Sequence, residues 1–256
     1  MKVIGIIPAR LDSSRFPGKP LEKIHGMPMI GHCYHRSSLA AGLEATYVAT
    51  CDNEIVDYIE GINGNVVMTS EVHNRATTRT AEALEKIELQ SGEQVDVVVM
   101  VQGDEPLISP EAISETLQHF SDPSVEIVNI MSKLRTLDAF IDKNNVKVVV
   151  DQNNNALFFS REPIPSPWNG WKHLPRFMQT GIIAFRRDTL LRFNAMTETQ
   201  LEQIESVDMN RVLETGGRIR MVPIEAFTIG VDTPEELMEA EKSLLNDPDL
   251  QSYLKL

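Results

Sequence analysis

Three basic side chains lie close together in the segment that follows the first apolar run of this 256-residue chain. Arg10, Arg15 and Lys19 fall within ten positions, among serine and glycine residues. Arginine offers a bidentate fork of donors, lysine a compact charge, and serine hydroxyls with nearby backbone N–H groups add further donors. The loop therefore favours phosphate binding over the alternative of a solvated surface loop with unconnected charges. It matches neither G-x-G-x-x-G nor the P-loop pattern, which disfavours those two kinds of nucleotide site.

Two carboxylates occur in similar surroundings, each within two residues after a glycine and shortly before a segment that favours a helix. Asp104 follows the apolar run 96–101 in Gln-Gly-Asp-Glu-Pro, and Asp232 lies in Gly-Val-Asp-Thr-Pro. Mg²⁺ at nucleotide sites takes one or two carboxylates together with phosphate oxygens. Asp104 and Asp232 are therefore candidate Mg²⁺ ligands. Asp232 could instead cap a helix, although Thr233 before Pro234 is the better capping residue.

The pattern that must position these residues is an alternation of short β-branched runs with amphipathic segments. It predicts strands at 2–8, 45–50, 65–68 and 96–101, and helices at 27–43, 53–59, 77–90 and 110–120. Strands that are apolar on both faces need cover on both sides, which indicates a parallel sheet flanked by helices. Ligands bind at the carboxyl ends of such strands, where the basic loop and Asp104 both fall.

The second half of the chain is less regular. It predicts strands at 125–131, 146–151, 156–160, 179–185 and 218–222, and helices at 201–214 and 234–245. The turn-forming segment 152–155 joins two of these strands and indicates a small antiparallel addition. We therefore expect an α/β fold with a Rossmann-like, mixed and mostly parallel sheet. The lack of repeats and linker-like composition predicts a single domain, residues 1–256.

The overall composition excludes several classes of protein. The chain has 24 lysine and arginine residues against 37 aspartate and glutamate residues, a formal charge of −13, so no nucleic-acid partner is expected. No apolar run approaches the roughly 18 residues of a membrane span, and the first residues lack the pattern of a signal peptide, so we expect a cytoplasmic protein with no membrane partner. Cys33 and Cys51 lack the spacing of a zinc site and are expected to be reduced thiols.

The basic loop and the two aspartate motifs, in this order, resemble the 3-deoxy-manno-octulosonate cytidylyltransferase (CMP-Kdo synthetase) family. Residues 8–21 resemble the family's P-A-R-x-x-S-[ST]-R-x-P-G-K-P-L loop, and Gln-Gly-Asp-Glu-Pro at 102–106 is specific in combination with it. Further similar segments extend the resemblance over essentially the whole chain: 26–30, 48–50, 67–69, 146–149, 159–165 and 230–234.

The resemblance implies a nucleotide-diphospho-sugar transferase fold and transfer of CMP from CTP to the anomeric hydroxyl of a 2-keto-3-deoxy sugar acid. Pyrophosphate is released, and the product serves lipopolysaccharide or capsule synthesis. The resemblance also implies Mg²⁺ as cofactor, held by Asp104 and Asp232. It further implies a homodimer, with the sugar site and dimer contacts in an insertion at approximately 155–225.

The same resemblance implies a role for each matching residue. The implied catalytic residues are Lys19, Arg15 and Asp104. The implied nucleotide-binding residues are Pro8, Ala9, Arg10, Ser13, Ser14, Arg15, Lys19, Asn74, Arg75 and Arg79. The implied sugar-binding residues are Gln102, Arg161, Gln179, Glu205 and Asp208.

Three segments depart from the family pattern. The cytosine-contacting H-x-S-G-T-[DE]-R reads His-Asn-Arg-Ala-Thr-Thr-Arg at 73–79, which leaves the base preference open. On the sugar side, Gln179 stands for a histidine and Met209 for a glutamine. A site without matched hydrogen-bond partners rejects a polar substrate, because buried polar groups are left unpaired.

These departures on the sugar side suggest a hypothesis about the substrate. Either Gln179, Asp208 and Asn210 compensate for the changes, or the sugar is not Kdo itself. We hypothesise a variant acid such as 8-amino-Kdo, with Asp208 or Glu205 available for its ammonium group.

Two alternatives stay open. One is a nucleotidyltransferase of the same fold that uses another nucleoside triphosphate or sugar. The other is a non-catalytic nucleotide-binding scaffold, motivated by the same departures; the retained basic loop and aspartates argue against it. His32 and His35 could share a metal on one helix, but without a third ligand nearby a polar helix face is favoured.

Overall fold

The computed structural model describes residues 1–12, 15–225 and 228–254. The chain divides into two compact units. The described parts of 1–115 and 227–256 form the first unit, and the described part of 116–226 forms the second. The boundary at residue 115 falls inside a helix, Pro110–Gln118.

A four-stranded parallel sheet is the centre of the first unit. In chain order the unit's strands are β1 (Val3–Pro8), β2 (Lys23–Ile24), β3 (Met27–Pro28), β4 (Ala45–Thr50), β5 (Asn65–Met68) and β6 (Val97–Val101). The sheet order is β6-β1-β4-β5, while β2 and β3 form a separate antiparallel hairpin. Every residue of β1 and β6 is buried, as expected of parallel strands covered on both faces.

Helices cover the strands of this sheet. They are α1 (Met29–Ser38), α2 (Asn53–Gly61), α3 (Ala76–Ser91) and the start of α4 (Pro110–Gln118). The last segment of the chain returns to the first unit as α9 (Pro234–Leu244) and α10 (Leu250–Tyr253). Apolar residues of this segment, including Val231 and Leu244, join a buried cluster with Ile24 and Met29 of the hairpin and α1.

The second unit contains the antiparallel pairings. Its strands are β7 (Ile127–Lys133), β8 (Lys147–Val150), β9 (Ala156–Ser160), β10 (Phe177–Arg186) and β11 (Arg220–Ile224), and its helices are α5 (Leu137–Ile141), α6 (Arg187–Asn194), α7 (Gln200–Glu205) and α8 (Met209–Glu214). β10 is antiparallel to β7 and β8, β8 is antiparallel to β9, and β11 is parallel to β7. The predicted fold class, a mixed and mostly parallel α/β sheet with a small antiparallel addition, is confirmed.

Two predicted helices were drawn too long. The helix expected at 27–43 spans only Met29–Ser38, because Met27 and Pro28 pair with β2 in the hairpin. The helix expected at 201–214 is two helices, since Ser206 adopts a left-handed conformation with φ 52° and ends α7. The apolar periodicity of the sequence continues through Ser206, so it gives no sign of the break.

Candidate active site

The basic loop leaves the carboxyl end of β1 and is held at both ends. The N–H of Leu11 donates to Asp52 Oδ2 at 2.7 Å, and the N–H of Gly18 donates to the Leu11 carbonyl at 2.9 Å. Gly18 has φ 75°, a left-handed conformation that glycine adopts without a Cβ penalty, and the short 3-10 helix Lys19–Leu21 begins directly after it. The turn at Gly18 therefore sets where the Lys19 side chain starts.

Lys19 binds both of the predicted metal-binding aspartates. Its Nζ lies 2.8 Å from Asp104 Oδ2, 2.8 Å from Asp232 Oδ1 and 2.9 Å from the carbonyl oxygen of Val231. Arg15 Nη2 lies 2.8 Å from the other oxygen of Asp232. The structure thus brings together four residues from three distant parts of the sequence.

Backbone contacts fix the relative positions of the two aspartates. The N–H of Val231 donates to the carbonyl oxygen of Asp104 at 2.8 Å, which joins the two loops directly. Glu236 in α9 accepts from the N–H groups of Asp232 and Thr233 at 2.7 and 2.9 Å, while Thr233 Oγ1 accepts from the Glu236 N–H at 3.2 Å. Thr233, not Asp232, caps the helix, so the carboxylate of Asp232 is left for other partners.

The electrostatics of this cluster keep the ammonium charged. Burial by itself lowers the pKa of Lys19, but the neighbouring charges and hydrogen bonds of Asp104 and Asp232 outweigh it, so the pKa lies above its ordinary value. Both carboxylates are 25% exposed, whereas the Lys19 side chain is 11% exposed. The carboxylate oxygens of Asp104 and Asp232 are therefore accessible to a ligand, and the Lys19 ammonium contacts them from the buried side.

That space is a cavity of about 310 Å³. It is lined by Pro8, Ala9, Arg10, Asp12, Arg15, Lys19, Pro20, Ala76, Gln102, Gly103, Asp104 and Asp232. A Cβ on Gly103 would lie 3.1 Å from the Pro8 carbonyl oxygen, so glycine is what lets the two strand ends approach here. Ser13 and Ser14, also predicted to bind nucleotide, lie outside the described residues.

A smaller cavity of about 120 Å³ adjoins the first and shares four of its residues, Pro8, Ala9, Arg10 and Ala76. The rest of its lining is His73, Asn74, Arg75 and Arg79. Arg79 is 3% exposed, and its Nη1 donates to Thr69 Oγ1 at 2.5 Å and to the Ser70 carbonyl at 3.3 Å. Its buried Nη2 has no hydrogen-bond partner. A buried, unsatisfied guanidinium nitrogen beside a cavity is suited to a ligand acceptor such as a base carbonyl.

Glu82 orients the wall of the smaller cavity. Its carboxylate accepts from His73 Nε2, from the N–H of Ser70 at 3.1 Å and from Lys86 Nζ at 2.7 Å. Burial raises the pKa of Glu82, but the hydrogen bonds from Lys86, His73 and Ser70 outweigh burial and lower the pKa to about 2. The carboxylate therefore holds the His73 ring at neutral pH.

The sequence profile of the cytidylyltransferase family matches residues 4–220. A 3-deoxy-manno-octulosonate cytidylyltransferase from Geobacter metallireducens is 40% identical over 255 residues, covering 95% of this chain and 98% of the relative. The chain belongs to this cytidylyltransferase family. The enzyme of Geobacter sulfurreducens is also 40% identical and is matched over its entire length.

One solved structure agrees with this assignment. A CMP:2-keto-3-deoxy-manno-octonic acid synthetase complexed with CTP superposes with a TM-score of 0.88 at 34% identity, covering 96% of this cytidylyltransferase and 100% of that chain. A Bacillus anthracis structure described as a glucose-1-phosphate thymidylyltransferase, in complex with sucrose, gives a TM-score of 0.68 at 16% identity over 95% of this chain and 96% of its own. The second likeness shows the fold alone.

In the second unit of the cytidylyltransferase, two of the predicted sugar-binding residues touch. Glu205 accepts from the Arg161 N–H and from Ser160 Oγ, each at 2.8 Å, and its carbonyl oxygen accepts from Arg161 Nε at 2.7 Å. The Arg161 guanidinium also donates to the Lys143 carbonyl at 2.9 Å. These contacts fasten α7 to the end of β9, so both side chains also have structural roles.

The other predicted sugar residues are placed differently. Gln179 Nε2 donates to Asn129 Oδ1 at 2.8 Å, at a register shift between β10 and β7. Asp208 is partly exposed and precedes α8, while Met209 is fully buried. The Asn210 side chain bonds both backbone groups of Phe159, at 3.2 and 3.0 Å. Asn210 is therefore committed to the backbone of β9. Gln102 lines the larger cavity of the first unit.

Sequence reasoning missed the residues that hold the site together. These residues form three pairs. Thr69 contacts Arg79, Glu82 contacts His73, and Glu236 contacts the backbone of Asp232. Only Glu236 had a readable signal, since threonine followed three residues later by glutamate is a capping-box pattern.

Two features of the described residues concern membranes and metals. In the part of the chain that the structure describes, no helix is both long and apolar enough to cross a membrane. Across residues 1–12, 15–225 and 228–254, no cluster of three or more histidine, cysteine, aspartate or glutamate side chains is gathered that could hold a metal. His32 is instead buried and bonds the Ile24 carbonyl at 2.9 Å and the Tyr253 hydroxyl at 3.0 Å.

Proposed function

We propose that this cytidylyltransferase transfers CMP from CTP to the anomeric hydroxyl of Kdo or a close variant such as 8-amino-Kdo, with release of pyrophosphate. The observation that carries the proposal is the convergence of Lys19, Arg15, Asp104 and Asp232 on one cavity of about 310 Å³. The resemblance in sequence and structure to enzymes named for this reaction supports it.

The basic loop would bind the triphosphate. Arg10 and Arg15 are exposed at the cavity and present guanidinium groups suited to phosphate oxygens, while Lys19 supplies a charge from beneath. As pyrophosphate departs, negative charge grows on its oxygens, and preorganised cations stabilise that charge most in a partly enclosed site. The protein's contribution is therefore positioning and charge neutralisation, with no covalent intermediate.

Asp104 and Asp232 would hold Mg²⁺. Their donor set fits a hard cation, since two carboxylate oxygens approach one point closely enough for both to lie 2.8 Å from the same nitrogen. When bound, Mg²⁺ would polarise the phosphate and acidify the attacking hydroxyl.

The smaller cavity would take the base. Arg79 Nη2 needs an acceptor, and pyrimidine bases offer ring carbonyl oxygens. Arg75 and Ala76 stand in this wall, so base preference must be measured with all four nucleoside triphosphates. The proposal expects CTP to give the highest kcat/KM. Another triphosphate giving a higher value would support the alternative of a different nucleotidyltransferase.

The choice of sugar acid would be made in the second unit. Glu205 and Asp208 flank the left-handed Ser206, and Met209 beside them brings no hydrogen-bonding group. A carboxylate-rich segment without a matching amide suits an ammonium better than a hydroxyl. Pyrophosphate release should be compared for Kdo, 8-amino-Kdo and nine-carbon acids. We expect 8-amino-Kdo to have the higher kcat/KM, and equal or better turnover of Kdo would contradict the amino-sugar assignment.

Variants separate the roles in this site. We propose Arg161, Gln179, Glu205 and Asp208 as sugar-side residues and Gln102 as a sugar contact from the larger cavity. Asp208→Asn should raise KM for the amino sugar and leave KM for CTP unchanged. An equal change in both KM values would show that Asp208 acts only through the fold.

Four further expectations complete the proposal. The enzyme would be a cytoplasmic homodimer, would have one functional domain and would make an activated sugar for lipopolysaccharide or capsule. Sedimentation equilibrium at micromolar concentration tests the dimer, and a monomer at all concentrations would contradict it.

A further inference from the structure

Arg36 of α1 is a buried charge that lines neither cavity. It is 2% exposed, and its guanidinium contacts Ile108, Asp247, Asp249 and the Tyr253 side chain. Nε donates to the carbonyl oxygen of Ile108 at 2.6 Å, while Nη1 and Nη2 donate to the two oxygens of Asp247 at 2.9 and 3.1 Å. Asp249 lies 3.4 Å from Nη2. Buried charge of this kind is costly unless fully paired, so its two attachments need an explanation.

The first attachment reaches the loop that carries Asp104. Ile108 follows Asp104 by four residues, and the chain between them is folded into tight turns. The N–H of Glu105 donates to the Gln102 carbonyl at 3.3 Å, and the N–H of Ile108 donates to the Glu105 carbonyl at 3.2 Å. A shift of Ile108 would therefore move the Asp104 backbone with it.

The second attachment reaches the segment that carries Asp232. Asp247 follows α9, and its N–H donates to the Leu244 carbonyl in the last turn of that helix at 3.0 Å. The other end of α9 is locked to Asp232, whose N–H donates to Glu236 at 2.7 Å. α9 thus connects the Arg36 pair to Asp232 as one rigid element.

These contacts form a closed circuit. One path connects Asp104 to Asp232 through Ile108, Arg36, Asp247 and α9. The second is direct, because the Val231 N–H donates to the Asp104 carbonyl. We propose that Arg36 is a positioning residue that sets the separation of the Asp104 and Asp232 carboxylates, and hence the affinity of the site for a divalent cation. This inference rests on the proposed role of the two aspartates as metal ligands.

The test is Arg36→Lys. Lysine keeps the charge but lacks the fork that reaches Ile108 and both Asp247 oxygens together. Binding of Mn²⁺ is measured by electron paramagnetic resonance with the α,β-methylene analogue of CTP, and the Mg²⁺ concentration for half-maximal turnover is measured in parallel. We expect the dissociation constant for Mn²⁺ and the Mg²⁺ concentration for half-maximal turnover each to rise about tenfold. The value of kcat at saturating Mg²⁺ should change less than threefold.

Arg211→Lys is the matched control. Arg211 is also a buried arginine, 4% exposed, and pairs through two nitrogens with Glu202 at 2.6 and 2.7 Å in the second unit. It should lose thermal stability without any change in Mn²⁺ binding. If Arg36→Lys behaves like Arg211→Lys, Arg36 is only a stabilising residue and the inference is wrong.

Two more variants keep the result decisive. Should Arg36→Lys fail to fold, Asp247→Asn weakens the same pair while keeping Arg36, and we expect the same tenfold shift. Asp104→Asn tests the underlying assignment. Unchanged Mn²⁺ binding in Asp104→Asn would refute the metal site itself, whereas a loss there with no shift in Asp247→Asn would refute only the role of Arg36.

Discussion

Replacing Lys19 by methionine removes the cation that joins the two carboxylates. The Asp104 and Asp232 oxygens each lie 2.8 Å from Nζ, so they are at most about 5.6 Å apart. At an effective dielectric constant of about 20, two like charges at that distance repel by about 3 kcal/mol. Arg15 still pairs with Asp232, and both carboxylates are 25% exposed, which weakens the repulsion. We expect the free energy of unfolding to fall by about 1 to 2 kcal/mol at low salt.

Mg²⁺ should stabilise this variant by more than it stabilises the wild type, in which the Lys19 ammonium already lies between the two carboxylates. Urea unfolding in 5 mM MgCl₂, on the order of typical assay concentrations, should restore most of the lost stability, because a cation replaces the missing ammonium. Turnover should fall by about 10² to 10³-fold, the usual effect of removing one preorganised group that stabilises developing charge.

Lys86→Met is the control for this experiment. Lys86 pairs with Glu82 at 2.7 Å but is 43% exposed, and exposed pairs contribute roughly 0 to 1 kcal/mol. Wild-type stability of Lys19→Met without Mg²⁺, or equal stabilisation of both lysine variants by Mg²⁺, would contradict the role of Lys19 between the carboxylates.

Three further outcomes are expected. Asp232→Asn should lower kcat/KM about 100-fold or more with folding retained by circular dichroism, since one negatively charged ligand of the cation is lost; activity within threefold of wild type would contradict a metal role. Glu82→Gln should raise KM for the nucleotide about tenfold, as His73 loses a charge-assisted bond, and should leave the Mg²⁺ dependence unchanged. Burial lowers the pKa of His32 to about 4 from 6.5, so below pH 6.5 the unfolded chain takes up a proton that the folded chain does not. The free energy of unfolding should therefore fall by up to about 3 kcal/mol as pH falls from 6.5 to 4. Urea unfolding of the wild type and His32→Gln at pH 7 and 4.5 checks this, and equal pH slopes would contradict it.

Much of the first unit could be predicted because its strands are buried on both faces. Continuous apolar runs such as 96–101 leave few alternatives, and the loops after such strands converge at one edge of a parallel sheet. Lys19 and Asp104 could therefore be recognised from the sequence as candidate site residues. Asp232 was identifiable by its motif, although its partnership with Lys19 depends on the return of the chain to the first unit.

The remaining features depend on contacts that no local pattern encodes. The break at Ser206 is one backbone conformation within a continuous periodicity. The role of Arg36 comes from Asp247, a surface-type residue far away in sequence. Asn210 seemed able to replace a sugar contact, but the structure commits it to the Phe159 backbone. Tertiary partners decide these cases, and a single sequence does not show them.

The return of the last segment to the first unit has a consequence for biosynthesis. The contact between Lys19 and Asp232 joins residues 213 positions apart. Chains are synthesised at about 5 to 20 residues per second, so Asp232 is made on the order of ten seconds or more after the basic loop. Until then neither Lys19 nor Asp104 has access to Asp232. A nascent or prematurely terminated chain therefore cannot assemble the complete centre, and competence for cation binding reports that synthesis has passed residue 232.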